Sequence, residues 1–222
     1  MRAFFLFFLM SLSLQAQVYF FTSEEAEQTI WHRIMMDENY FVETAYVDSP
    51  AAFIYTRGGF YKKEGNKFLV AFEFNSNFEK DHLKTMDYEQ QADWELASDE
   101  VLPLDGKWLM AGRVTEQGIN RRDTTQARKT MKFLKDGFFQ WIAFNTESFQ
   151  FFGSGGGTYE TAAGKYTETI TFFSRDNSRV GASLGFDYQV IDGEWHHSGL
   201  SSTGQPIFEI WTPYARGYTP AK

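Results

Sequence analysis

A chain of 222 residues with no cysteine and a formal charge of −8 has no disulfide staples, thiol nucleophile, thiolate metal ligands or lipid-modified cysteine. Its acidic balance is a poor match for a phosphate backbone, so no nucleic-acid partner is expected. Phenylalanine (24), tyrosine (11) and tryptophan (6) make up 18% of the chain; at on the order of 150–250 Å² per buried ring, they supply a sizeable core or a lined cavity and argue against disorder.

The N-terminus, "MRAFFLFFLMSLSLQA", combines Arg2, an apolar run over residues 4–14 and the small Ala16 at a cleavage point, the pattern of a secretory signal peptide over residues 1–16. The run is shorter than the roughly 20 residues that span a bilayer, and no later segment is long and apolar enough. A secreted or periplasmic protein with no transmembrane segment after signal removal is therefore expected. "TSEEAEQTI", residues 22–30, has a Thr/Ser start and acidic residues in its first turn, which predicts a short helix.

Residues 40–76 lie without a gap under residues 138–174 at an offset of 156 − 58 = 98. Phe41 falls on Phe139, Ala45 on Ala143, Gly58 and Gly59 on Gly156 and Gly157, Tyr61 on Tyr159, Lys67 on Lys165 and Phe74 on Phe172. Self-similarity at a fixed offset reads as an internal duplication. The first copy is about a hairpin short, whereas the second has room for eight strands. "ASDEVLPLD", residues 97–105, reads as the linker, with Pro103 stopping any strand. The expected organisation is a signal peptide (1–16), a degenerate repeat (17–100), a barrel (101–216) and a C-terminal tail (217–222).

In the second copy Tyr166, Glu168, Ile170 and Phe172 alternate with Lys165, Thr167, Thr169 and Thr171, and Leu184, Phe186, Tyr188 and Val190 with their polar neighbours. This is the period of half-buried strands, apolar inward. "KDG" (135–137), "AAGK" (162–165) and "IDGE" (191–194) are turn signals. The fold class is all-β, of antiparallel barrel type. The run "GSGGG" at 153–157 lacks the lysine and the following helix of a phosphate loop, and leads into an alternating strand instead. It reads as a bulge or sharp bend in a barrel wall, or as a close approach of backbone or ligand.

"GKW", residues 106–108, resembles the Gly-x-Trp with which lipocalin-type barrels begin. The ordered series "KDGFFQWIAFN", "GGGTY", "GKYTETITFF", "VGASLGFDYQV", "EWHHSGLSS" and "EIW" is similar to lipocalin-like secreted domains of unknown function found in Bacteroidetes, over residues 104–213. The resemblance implies two related antiparallel lipocalin-like (calycin-type) barrel modules, the first shortened. It also implies a cavity open at one end for a small, largely apolar ligand, with no assigned chemistry and no cofactor. The chain departs from true lipocalins in lacking disulfides and in carrying Asp187 in mid-strand.

Glu168 falls on the inward apolar stripe where the first copy has Val70. It reads as a polar anchor deep in a cup or as a rim carboxylate satisfied by a tyrosine or arginine, because an unpaired buried carboxylate costs several kcal/mol. His196 and His197 are adjacent and point to opposite faces of a strand, so they cannot bind one metal; His32 and His82 lie far away in sequence, and no metal site is expected. Glu209 shares a face with Ile207 and Trp211. Ser198, Ser201 and Ser202 lie near His197 without a nucleophile elbow. The basic run "RRDTTQARK" (121–129) reads as a solvated loop or as a cover for the open end that meets an anion. The candidate ligand-binding set is Trp141, Tyr159, Tyr166, Glu168, His197 and Trp211, with Phe139 a further ring platform. No catalytic residue is assigned; a cofactor-free hydrolase or isomerase acting on a carbohydrate-derived or lipid-like substrate would use Glu168 with His197. A third reading is a structural or partner-binding envelope protein. The sequence assigns no oligomeric state.

Overall fold

The computed structural model describes residues 17–98, 100–201 and 203–214; the expected signal peptide and the C-terminal tail lie outside the described residues. The alternating segments form two antiparallel sheets. The first contains β1 (Gln17–Glu25), β2 (Gln28–Met36), β3 (Tyr40–Val47), β4 (Ala52–Glu64), β5 (Lys67–Asn75), β6 (Thr85–Glu89) and β7 (Glu95–Ser98), in the order β6-β5-β4-β3-β2-β1-β7. The second contains β8 (Gly106–Thr115), β9 (Gly118–Arg121), β10 (Arg128–Lys135), β11 (Phe138–Asn145), β12 (Phe151–Ala162), β13 (Lys165–Phe173), β14 (Ser183–Ile191), β15 (Glu194–Leu200) and β16 (Pro206–Pro213). Its strands pair consecutively from β10 to β16, then with β8, and β8 pairs back onto β10. Eight strands close a barrel and β9 lies outside the ring.

The two sheets share strand order and register. Ile34 pairs with Glu43 as Lys132 pairs with Trp141, and Val70 pairs with Met86 as Glu168 pairs with Leu184, each shifted by 98. The first sheet has no counterpart of β15, so β6 and β7, five and four residues long, remain its edges. The shortened first barrel expected from the sequence is therefore an open sheet: one strand is missing and its edges are too short to meet.

The expected helix over residues 22–30 is also absent. β1 and β2 zip from Gln17↔Met36 to Glu25↔Gln28, and Ala26 (φ 49°) and Glu27 (φ 63°) make the two-residue turn. Two left-handed residues give a hairpin the twist its strands need, and nine cross-strand pairs outweigh one turn of helix-start signals. The three turns marked in the sequence are of the same kind, at Asp136–Gly137, Ala163–Gly164 and Asp192–Gly193.

The glycine run lies inside β12. Register slips between Gly156 and Gly157, so that Gly157 pairs with Ile170 and Gly156 with Phe172, leaving Thr171 as the extra residue. The same slip separates Gly58 and Gly59 opposite Phe74 and Phe72. A Cβ on Gly157 would lie 1.9 Å from the Thr169 carbonyl oxygen, and one on Gly59 2.0 Å from that of Ala71. The bulge reverses the facing of everything after it. Tyr166, Glu168 and Ile170 point into the barrel as the alternation predicts, but Phe172 turns outward and stacks near Tyr46 at 5.5 Å, while Phe173 turns in.

The outer wall of the barrel packs on one face of the first sheet. Val18, Met35, Tyr40, Val42, Phe60 and Phe74 share a single buried cluster with Leu109, Met131, Phe133, Ile142, Phe144 and Tyr214, each large side chain contributing about 1.5–3 kcal/mol by its burial. Arg33 crosses this interface almost fully buried, donating to the Gly157 and Phe139 carbonyls (3.2 Å each) and to Gln140 Oε1 (3.1 Å). Gln140 in turn donates to Thr56 Oγ1 and Ser154 Oγ. Burial lowers the Arg33 pKa to about 10, which leaves it charged at neutral pH.

The bulge glycines give a direct test. Gly157→Ala and Gly59→Ala should each lower unfolding free energy by more than about 2 kcal/mol in urea melts, whereas Gly185→Ala, where a Cβ meets nothing within 4 Å, should change it by less than about 0.5 kcal/mol.

Candidate functional site

The interior of the barrel has a filled floor and a hollow above it. Leu104, Trp108, Leu134, Tyr159, Tyr166 and Trp195 fill one end, where Trp108 Nε1 donates to the Leu104 carbonyl (2.9 Å) and the Tyr159 hydroxyl donates to Asp105 (2.6 Å). Above them lies a cavity of about 550 Å³, within the range of small-molecule sites. Its apolar walls include Met110, Trp141, Ile170, Phe173, Leu184 and Phe186. It opens at the end where β8 and β13 finish and β10 and β14 begin. There β10 pairs with β8 only over residues 106–109, and β9 takes the same edge from Gly112 onward. The barrel seam parts at that point, and Asn120 and Arg122 reach the mouth.

Glycines create the hollow. Gly153 and Gly155 occupy the positions that Tyr55 and Arg57 hold in the first sheet. A Cβ on Gly155 would lie 2.6 Å from Phe173 Cδ2 and 2.7 Å from Trp141 Nε1, so both rings settle over bare backbone. In the first sheet the equivalent space is filled. Glu43 accepts from Tyr55 (2.8 Å), Tyr88 (2.6 Å), Arg57 Nε (2.8 Å) and His32 Nδ1 (3.2 Å), and Ser23 Oγ lies 2.9 Å from His32 Nε2. Burial alone would push the Glu43 carboxyl up; hydrogen bonds from His32, Tyr88 and Tyr55 together with the Arg57 charge overcome it and hold the group at about 2.

Trp141, Glu168, His197 and Trp211 all line the cavity. Tyr159 and Tyr166 do not; they belong to the floor, with the Tyr166 hydroxyl donating to Glu168 Oε1 at 2.7 Å from below. Strand alternation gives the side a residue faces and is silent about its height along the barrel, so it does not separate these two tyrosines from the residues that line the cavity. His196 points away from His197, as adjacent strand residues must. Ser201 lines the cavity and Ser202 lies outside the described residues. Among the described residues no three His, Cys, Asp or Glu side chains gather into a metal-binding group.

Sequence reasoning missed Lys132. Its ammonium donates to Glu168 Oε1 at 2.5 Å, both side chains being 7% exposed. The rings of Tyr166, Trp195, Trp211 and Phe186 stand 5.1 to 5.7 Å from the nitrogen, an aromatic cage that offsets part of the lost hydration. Alternation in β10 points the other way: its apolar face, Met131 and Phe133, packs on the first sheet, and the polar face of Thr130 and Lys132 lines the cavity. The register places Ile34 where Lys132 stands and Val70 where Glu168 stands. The fold accommodates two aliphatic residues there, so the ion pair is a property of the cavity.

Beside this pair Glu209 Oε2 lies 3.4 Å from His197 Nε2, too poorly aligned to satisfy either ring nitrogen as a hydrogen bond, and Trp211 Nε1 is also buried without a partner. Burial and the nearby Lys132 charge lower the His197 pKa despite Glu209, so the imidazole is neutral at neutral pH. Burial would raise Glu209, but His197, Lys132 and Arg113 overcome it and hold the carboxyl below its usual range. His197 and Trp211 thus line the cavity with ring nitrogens that are themselves buried and lack a hydrogen-bond partner, beside charges that are already paired.

No family model matches the chain, and no curated protein matches it. Among the described residues no helix is long and apolar enough to cross a membrane.

Lys132→Met should cost about 3–5 kcal/mol in urea melts, because it strands a buried carboxylate, whereas Lys132→Ile with Glu168→Val, copying the first sheet, should be neutral or stabilising by about 1–4 kcal/mol. Glu43 sets an acid limit. Its folded pKa of about 2 lies below the ordinary glutamate value of 4.5, so its contribution, on the order of 3 kcal/mol, is complete above pH 4.5 and lost as pH falls towards 2. Thermal melts of Glu43→Gln should show a smaller loss of stability than the wild type across that window.

Proposed function

We propose that the closed barrel is a lipocalin-like cup that binds a small, partly apolar ligand, in a protein exported by its N-terminal signal. The observation that carries this reading is the 550 Å³ hollow, maintained by glycines where the otherwise register-matched first sheet is filled by Tyr55, Arg57 and Glu43. The consecutive up-and-down order of the barrel strands and the place of Trp108 at the closed end support the lipocalin-like assignment. Matching slips at Gly58/Gly59 and Gly156/Gly157, offset by 98, support descent of the two halves from one duplicated unit, the first now serving as a support.

The enzyme reading has less behind it. Glu168 and His197 face the same cavity, but Glu168 is tied to Lys132 and Tyr166 and is poorly placed to take a proton from a substrate. The envelope-interface reading also has less behind it, since two outward aromatics of the barrel, Phe133 and Phe144, are covered by the chain's own first sheet, while Phe208 is left exposed.

A neutral fluorophore, N-phenyl-1-naphthylamine, tests the cup. One molecule per chain should bind with enhanced emission, and Ile170→Trp, which fills the hollow, should weaken binding at least tenfold while the protein stays folded by circular dichroism. No binding, or binding indifferent to Ile170→Trp, would sink the reading.

A further inference from the structure

Among the described residues, the arginines Arg122, Arg128 and Arg175 at the rim of the cavity form no ion pair with neighbouring carboxylates, unlike other charges of the barrel. Arg122 and Arg175 line the mouth, and Arg128 lies behind them with its Cζ 3.4 Å over the Phe152 ring. Their donors go to main-chain oxygens: Arg122 Nη2 to the Arg128 carbonyl (2.7 Å), Arg175 Nε and Nη2 to the Phe152 carbonyl (3.0 and 2.8 Å). Arg128 Nη1 is buried with no partner. By contrast, the neighbouring Arg113 and Arg121 are each ion-paired, to Glu209 and Glu194. Burial and then the charges of Arg122 and Arg175 lower the Arg128 pKa, which records how closely the three cations are held. In a chain whose formal charge is −8, such a cluster is not a sample of the average surface.

The backbone is built to hold it. Gly153, at φ 147°, leaves room for Arg175: a Cβ there would lie 2.5 Å from Arg175 Nε. Arg175 also stands 5.5 Å from the Trp141 ring centroid, so one face of the guanidinium is seated on the cavity wall while its remaining N–H groups stay available. Like charges crowded at the opening of an apolar hollow are unfavourable until an anion joins them, and guanidinium N–H groups fit carboxylate and phosphate oxygens.

We propose that the ligand is an amphiphilic anion, its carboxylate or phosphate head held at the mouth by Arg122 and Arg175, and its apolar body in the hollow against Ile170, Phe173 and Leu184. This rests on the ligand-cup reading and extends it to a ligand class. The loop of residues 121–129, read from the sequence as a solvated segment or a cover meeting an anion, takes the second role through Arg122.

Displacement of N-phenyl-1-naphthylamine from the full chain by octanoate, octyl phosphate, 1-octanol and octylammonium separates the two claims. At least one of the two anions should displace the probe tenfold or more better than octanol, octylammonium should be the weakest, and raising salt from 50 to 500 mM should narrow the anion's advantage. In Arg122→Ala/Arg175→Ala the ratio of anion to octanol affinity should fall to about one, and Arg122→Lys/Arg175→Lys should restore part of it. Probe binding with equal displacement by all four compounds would overturn the anion assignment and leave the cup standing; absence of probe and anion binding would remove both. A ratio that survives the alanine pair but collapses in Trp211→Phe would place the head inside the barrel and overturn the mouth assignment.

Discussion

The bulge in which Gly157 lies against the Thr169 carbonyl governs the rest of the structure. At that point there is no room for a Cβ, and the slip it imposes on β13 turns Phe172 towards the first sheet and Phe173 into the barrel. One irregularity thereby supplies an aromatic to the interface between the sheets and another to the cavity wall. Its counterpart at Gly59 does the same with Phe72 and Phe74, which belong to two different clusters. Without the slip, both strands would present the wrong ring to each side.

On this shared frame the two halves diverge by what they place in one volume. The first sheet fills it with a carboxylate satisfied by two tyrosines, an arginine and a histidine. The barrel vacates it by substituting glycine for the tyrosine and the arginine, then lines what remains with rings and a caged lysine. The carboxylate of the first sheet is buried and held ionised by its hydrogen bonds and by Arg57. The closed wall, by contrast, encloses a partly apolar hollow that opens only at the parted seam.

Much of this was legible from residues alone. Period-two alternation gave the strands, the Asp-Gly and Ala-Gly pairs gave the turns, and the repeated Gly-Gly gave the bulge. Glu168, His197, Trp141 and Trp211 line the cavity. The misreadings have physical causes. Residues 22–30 carry helix-start letters, but nine strand pairs decide the outcome. Tyr159 and Tyr166 face inward yet sit at the floor, since alternation fixes direction and not depth. Lys132 was missed because the apolar face of β10 packs on the first sheet and its polar face lines the cavity, and the open first sheet was mistaken for a barrel because strand count, not strand pattern, determines closure.

The interface centred on Arg33 has a consequence for how the chain comes to exist as a folded object. Cutting at residues 99–105 would bare Met131, Phe133, Ile142 and Phe144 on one fragment and leave on the other a guanidinium whose acceptors, the Phe139 and Gly157 carbonyls and Gln140, have departed. The two halves share one buried interface, so a change that loosens the first sheet reaches the wall of the barrel.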